Sequence, residues 1–263
     1  MNFVLKKRYD INDMLRIMEI LRSENGCPWD KEQTHQSIRK DFLEEVYEAV
    51  EAIDLEDTAL LREELGDVLL QVIFHARIEE EKGSFCFDDV VDEVCQKLVI
   101  RHPHVFADVV AETSDEVLKN WNDIKQQTKG QETYYETLES VCTALPALMR
   151  AQKVGKRAER ANMDFENVAQ VLDCLEAEIA ELKEAIAEGN QECIEDELGD
   201  VLFSCTNLAR HTKCDAEEAL TRSTEKFMKR FKETEEMVRC DGIDMKSLNI
   251  NELDVYWRKA KEK

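Results

Sequence analysis

The sequence predicts an all-α protein built from two tandem helical units. Only 8 glycines and 3 prolines punctuate 263 residues, too few for the many turns of a β fold. Long segments rich in Glu, Leu, Ala and Lys carry apolar residues at helical spacing. The third observation is a repeat. Glu63-Glu64-Leu65-Gly66-Asp67-Val68-Leu69 recurs as Asp196-Glu197-Leu198-Gly199-Asp200-Val201-Leu202, at an offset of 133 (200 − 67). Extended to Ala76-Arg77 and Ala209-Arg210, the two copies share 8 of 15 positions without a gap, the mark of a duplication. Two units of about 130 residues also suit the chain length.

The elements follow in order. Ile11, Met14, Leu15, Ile17, Met18 and Leu21 define a helix over 11–22, stopped by Asn25-Gly26-Cys27-Pro28. Cys27 to Thr34 reads as a loop whose Trp29 either stacks on a base or anchors the loop to the core. Helices are expected over 37–53, 57–81 and 87–99, with Gly83 ending the second. Arg101 to Phe106 reads as a loop, and 114–127 as a short helix closing a first unit of residues 1–127. Residues 128–144 read as a linker, and 145–263 as the second unit. There the pattern returns as helices over 145–160, 168–188, 192–211, 216–240 and 252–261. Asn162 to Phe165 takes the place of the Trp29 loop.

Composition narrows the function. A formal charge of −23 argues against direct nucleic-acid binding or an anionic membrane surface, and suits a protein that gathers cations. No apolar run approaches the roughly 20 residues of a membrane span, and residues 1–10 lack a signal-peptide core, so a cytoplasmic protein is expected. The nine cysteines form no Cys-x-x-Cys pair and read as reduced thiols serving as small apolar residues.

The carboxylates carry the chemistry. Glu45 and Glu48 are three apart, as are Glu64 and Asp67, so each pair lies on one helical face. The second unit repeats this with Glu178, Glu181, Glu197 and Asp200, at the same offset of 133 (178 − 45). Two such helices side by side aim four carboxylates at one spot, and unpaired anions there repel and lose hydration. The arrangement calls for cations, and hard oxygen ligands suit Mg²⁺, with Mn²⁺ as a substitute. Gly66 interrupts a helix at a cost of about 1 kcal/mol relative to Ala; as the smallest residue beside the acids, it is expected to admit a neighbouring helix. A di-iron bundle would want Glu-x-x-His on facing helices, which the second half of the chain lacks.

Glu44-Glu45-x-x-Glu48 followed by Glu64-x-x-Asp67 resembles the signature of MazG-type nucleoside triphosphate pyrophosphohydrolases. So do Cys27-Pro28-Trp29-Asp30-Lys31-Glu32-Gln33-Thr34, Arg101-His102-Pro103-His104-Val105-Phe106 and Leu145-Pro146-Ala147-Leu148-Met149-Arg150-Ala151-Gln152-Lys153. The likeness runs from about residue 11 to 261 and is closest to two-repeat bacterial members. It implies an all-α, Mg²⁺-dependent, usually dimeric enzyme that cuts NTPs and dNTPs to the monophosphate and pyrophosphate. In that picture carboxylate-held Mg²⁺ bridges the triphosphate and activates water for attack at the α-phosphorus. Lys226, Lys229 and Arg230 would neutralise the phosphates, Trp257 would stack on the base, and Lys261 would add a charge.

The second repeat is expected to be the catalytic one. The first has Arg101-His102-Pro103-His104 where the second has Lys229-Arg230-Phe231-Lys232, so a proline there removes cations from the phosphate position. The second has Ala177 in place of the leading Glu44, but Glu178, Glu181, Glu197 and Asp200 still suffice for a metal. His102 and His104 read as loop-packing residues. Bundles this small often complete their core by pairing, so a homodimer is expected. The alternative from another class is a non-catalytic nucleotide-sensing or partner-binding regulator with structural Mg²⁺.

Overall fold

In the computed structural model, which describes residues 3–111, 113–128 and 130–262, every regular element among those residues is helical. The chain divides into two compact units, Met1–Lys125 and Gln126–Lys263. The first holds α1 (Ile11–Arg22), α2 (Pro28–Glu32), α3 (Arg39–Asp54), α4 (Thr58–Lys82), α5 (Phe87–Arg101) and α6 (Pro103–Phe106). Helix α7 (Ser114–Thr128) runs across the division. The second holds α8 (Tyr134–Glu139), α9 (Ala147–Arg160), α10 (Val168–Glu188), α11 (Gln191–His211), α12 (Ala216–Cys240) and α13 (Ile250–Lys261).

Each unit is organised on an α-hairpin, α3–α4 or α10–α11, whose helices make the densest contacts of their unit. The turns are short, Leu55–Asp57 and Gly189–Asn190, and a short connection makes neighbouring helices antiparallel. Asp57 starts α4 by accepting the backbone N–H groups of Ala59 and Leu60, and Asn190 caps α11 through Glu192 N–H. Gly189 ends α10 with φ +73°, a left-handed conformation that glycine adopts without steric cost. The core of the first unit gathers Met18, Ile38, Ile73, Phe74 and Ile78. In the second unit the fully buried side chains include Val171, Thr206 and Val238.

Two segments read as loops, and the one read as a linker, carry helix. Pro28 starts the short α2, because proline is preorganised for the first turn, and Pro103 does the same for α6. The stretch 128–144 contains α8, opened by a Thr133–Glu136 capping box and followed by the buried Val141. Lys129 within that stretch lies outside the described residues. Trp29 is 59% exposed, so it does not anchor its loop to the core. His102 packs edge-on against Trp121 at 4.8 Å and its Nδ1 lies 2.6 Å from the Leu98 carbonyl, a packing role. All nine cysteines are free thiols; Cys95, Cys142, Cys205, Cys214 and Cys240 are exposed rather than serving as core.

Gly66 and Gly199 correct the expectation of a close helix approach. A Cβ at either would meet nothing within 4 Å, since both face away from the neighbouring helices of their unit.

Candidate metal centre and adjoining cavity

The hairpins bring the predicted acids together. In the first unit, oxygens of Glu45, Glu48 and Glu64 all lie within 4.8 Å of one another; in the second, Glu178, Glu197 and Asp200 do. The fourth acid of each set, Asp67 or Glu181, sits close enough to raise a neighbour's pKa. Burial first, and then Glu181, Asp200 and Glu178, push Glu197 above the usual carboxylate range. Glu45 and Glu64 are raised for the same reasons, burial ahead of neighbouring charge. Among the described residues none of these eight carboxylates forms an ion pair. Glu197 Oε2 is buried without any hydrogen-bond partner. A buried, unpaired carboxylate oxygen among like charges fits a divalent cation with oxygen ligands.

In the second unit the acids border a cavity of about 520 Å³, within the roughly 300–1,000 Å³ of small-molecule sites. Glu178 and Asp200 form its acidic edge; Val154, Ala158, Met163, Phe165 and Phe203 supply apolar wall. Cys174 Sγ–H donates to Glu178 Oε1 at 3.6 Å and stands 3.8 Å from Ser204 Oγ.

Gly155 lines this cavity where α9 packs on α11. A Cβ there would come within 2.8 Å of Asn207 Oδ1 and 3.3 Å of Arg210 Nε. Arg210 is held by both oxygens of Asp164, with Nη1 2.6 Å from Oδ2, and also reaches Asn207 Oδ1 at 3.3 Å. The Arg210 guanidinium holds the Asp164 carboxyl well below the usual range.

The first unit carries larger side chains at the equivalent positions. At the offset of 133, Ser204 corresponds to Gln71 and Asn207 to Phe74. Both are buried, and the Arg22 guanidinium lies over the Phe74 ring at 5.2 Å. Arg22 is fixed there by Glu81, at 2.9 and 3.0 Å, and by backbone carbonyls of Asp30 and Gln33.

The residues assigned to the nucleotide lie on α12 and α13 of the second unit. Lys226 and Lys229 are exposed and Arg230 half-buried on α12, while Trp257 and Lys261 lie on α13. Trp257 packs on Phe227 at 5.1 Å and borders a separate cavity with Phe231 and Ile250. None of the five lines the cavity beside Glu178 and Asp200. Sequence reasoning missed Gly155, Asn207, Asp164 and Arg210 as neighbours of the acids. The available signal was a break in the repeat: the motif helix keeps its acids and closing arginine but changes Gln71 and Phe74 to Ser204 and Asn207.

A family model described as the MazG nucleotide pyrophosphohydrolase domain matches residues 33–106 and again 159–234, one copy on each hairpin. The chain belongs to the MazG family. It is 43% identical over 256 residues to the nucleoside triphosphate pyrophosphohydrolase of Escherichia coli K12, covering 95% of this chain and 97% of that one. The nucleoside triphosphate pyrophosphohydrolase/pyrophosphatase MazG of Thermotoga maritima is 42% identical over 249 residues, 95% and 94% of the two chains. Bacillus subtilis YabN, described as uncharacterized, is 42% identical over 97% of this chain and 52% of its own length. Both MazG matches contain a complete set of the predicted acids. No helix among the described residues is long and apolar enough to cross a membrane.

Proposed function

We infer that this chain is a nucleoside triphosphate pyrophosphohydrolase that works in its C-terminal MazG repeat. Full-length relatives bearing that name support the activity. The observation that carries the choice of repeat is the cavity beside Glu178 and Asp200, lined by Ser204 and Asn207 at positions where the other repeat buries the larger Gln71 and Phe74.

Glu178, Glu197 and Asp200 fit a divalent cation, and Mg²⁺, with Mn²⁺ as substitute, matches their hard oxygens. When bound, Mg²⁺ supplies neutralisation of the triphosphate and a lowered pKa for water. Glu181 stands outside the three converging carboxylates but within electrostatic reach of Glu197, which suits it to orient the attacking water and accept its proton. Phe165 and Phe203 give that face of the cavity an apolar lining. Water attack at the α-phosphorus then releases pyrophosphate and leaves the monophosphate, a reaction suited to nucleotide-pool housekeeping. Lys226, Lys229, Arg230 and Lys261 add cations on the same unit for the departing phosphates. The N-terminal repeat takes a structural or regulatory part.

The test is phosphorus NMR of dNTP products formed with Mg²⁺ by wild type, Glu48→Ala and Glu181→Ala. Monophosphate plus pyrophosphate, lost in Glu181→Ala and kept in Glu48→Ala, is the expected result. Diphosphate plus phosphate would mean attack at the terminal phosphorus, and no turnover would favour a binding module.

A homodimer goes with this reading. Val46, Ile53, Leu65 and Leu69 are exposed in the first unit, and their counterparts Ile179, Ile186, Leu198 and Leu202 are exposed in the second. Apolar residues repeated on one hairpin face call for cover. Light scattering that returns the monomer mass at micromolar concentration would refute the dimer.

A further inference from the structure

His35 and His75 face each other in the first unit with their Nδ1 atoms 2.7 Å apart and their rings stacked. His35 stands in the connection between α2 and α3, three residues before the fully buried Ile38, and His75 lies on α4. The other ring nitrogen of His35, Nε2, is 2.6 Å from Glu79 Oε1, so it carries a proton and donates it to that carboxylate. Glu79 is lowered to about 2, first by Lys82 and then by His35, and keeps its charge through the mildly acid range. A hydrogen bond between two Nδ1 atoms needs one protonated and one bare nitrogen. The pair therefore takes up one extra proton but not two. With both rings cationic, both Nδ1 atoms bear hydrogen and the contact turns into repulsion between like charges.

We propose that the His35–His75 pair is a pH-operated latch, which fastens residues 33–38 onto α4 at neutral pH and releases them when both rings are protonated in mild acid. The charged groups around the pair are Glu79 and Lys82 on α4 and, from α1, Arg22, which Glu81 holds together with Arg77. Helix α3 adds the ring of Phe42, 5.5 Å from that of His75. Burial, and after it the charge on His35, hold His75 below the usual histidine range. The stabilisation is therefore complete above the ordinary histidine value and is lost as pH falls through the folded one. At the offset of 133, His75 and Glu79 correspond to Leu208 and Thr212, so the device belongs to the first repeat and acid loosens that repeat alone.

The experiment takes the full chain in Mg²⁺, with ¹⁵N in its five histidines, from about pH 7.5 to about pH 5. By NMR, a coupling between two Nδ1 nuclei across the N–H···N bond is expected at the upper pH and absent at the lower. Hydrogen exchange by mass spectrometry, corrected for the intrinsic effect of pH on exchange, reads the segment itself. Protection of residues 33–38 should fall about tenfold or more across that range. Residues 161–167, which lead into the second hairpin, should keep theirs. His75→Gln puts a non-titrating amide in place of the ring, able to donate to His35 at either pH, and should keep residues 33–38 protected throughout. Absence of the coupling at the upper pH overturns the proposal, and that outcome needs no variant to fold. Wild-type protection independent of pH, or an equal acid loss in residues 161–167, also overturns it. So does an acid loss retained in His75→Gln, which would place the titrating group elsewhere.

Discussion

Gly155 and Asn207 meet across the α9–α11 contact so closely that one added methyl group would stand 2.8 Å from the amide oxygen. Gly155→Ala must therefore displace Asn207 or the Arg210 it rests on. We expect a loss of about 1–3 kcal/mol from overpacking, offset by up to about 1 kcal/mol of helix propensity. KM for nucleotides should rise more than kcat falls. Thermal denaturation and steady-state kinetics measure both, and a more stable variant with wild-type KM would show that the contact is not tight.

The Asp164–Arg210 pair should govern part of the acid limb of stability. Asp164 is held below its unfolded pKa chiefly by the Arg210 hydrogen bonds, so its contribution is present above the ordinary aspartate range and is lost as pH falls through the folded value. Glu79, lowered to about 2 by Lys82 and then His35, acts in the same direction in the first unit. Asp164→Asn is expected to lower stability at neutral pH by about 1–3 kcal/mol, as for a charged donor losing its partner, and to flatten the decline between about pH 4 and pH 2. Denaturant midpoints across that range, unchanged in slope, would contradict it.

The carboxylate clusters act with the opposite sign. Glu45, Glu64 and Glu197 are raised above the ordinary glutamate value, chiefly by burial. The folded, metal-free protein then holds more protons than the unfolded chain just above that value. Their contribution is complete at lower pH and is lost as pH rises through the folded values. Mg²⁺ should reverse this loss, raising Tm more at pH 7 than at pH 4 and releasing protons on binding. A Tm shift independent of pH would refute the link between metal and clusters.

Arg22→Ala offers a test confined to the first unit. Its side chain is 5% exposed, covers Phe74 and forms two bonds to Glu81. Truncation leaves Glu81 without that partner and strips Phe74 of its cover, which should cost about 2–4 kcal/mol. Turnover per folded molecule should stay at the wild-type value. A parallel loss of turnover would show that the first repeat serves catalysis.

Much of this protein was legible without coordinates. Apolar spacing placed the first helix at residues 11–22 and the tenth at 168–188, because a long amphipathic helix writes its period into the chain. Acids three apart on two helices joined by a short turn named both clusters, since helical periodicity and hairpin topology alone bring them together. The 133-residue offset carried that geometry from one unit to the other. The proline-started helices α2 and α6 were read as loops because four or five residues carry no period, and the six-residue α8 fell within the stretch read as a linker.

Only the tertiary structure decided which space stays open. Gly66 and Gly199 sit in the repeated motif and meet nothing, whereas Gly155 lies outside it and sets the spacing of α9 on α11. Whether a glycine is an approach point depends on what faces it, and that partner is distant in sequence. The same holds for Asp164, Arg210 and Asn207: the bonds these residues make span up to 51 residues. A motif records which groups the chemistry needs, while the volume beside them is set by side chains arriving from other helices.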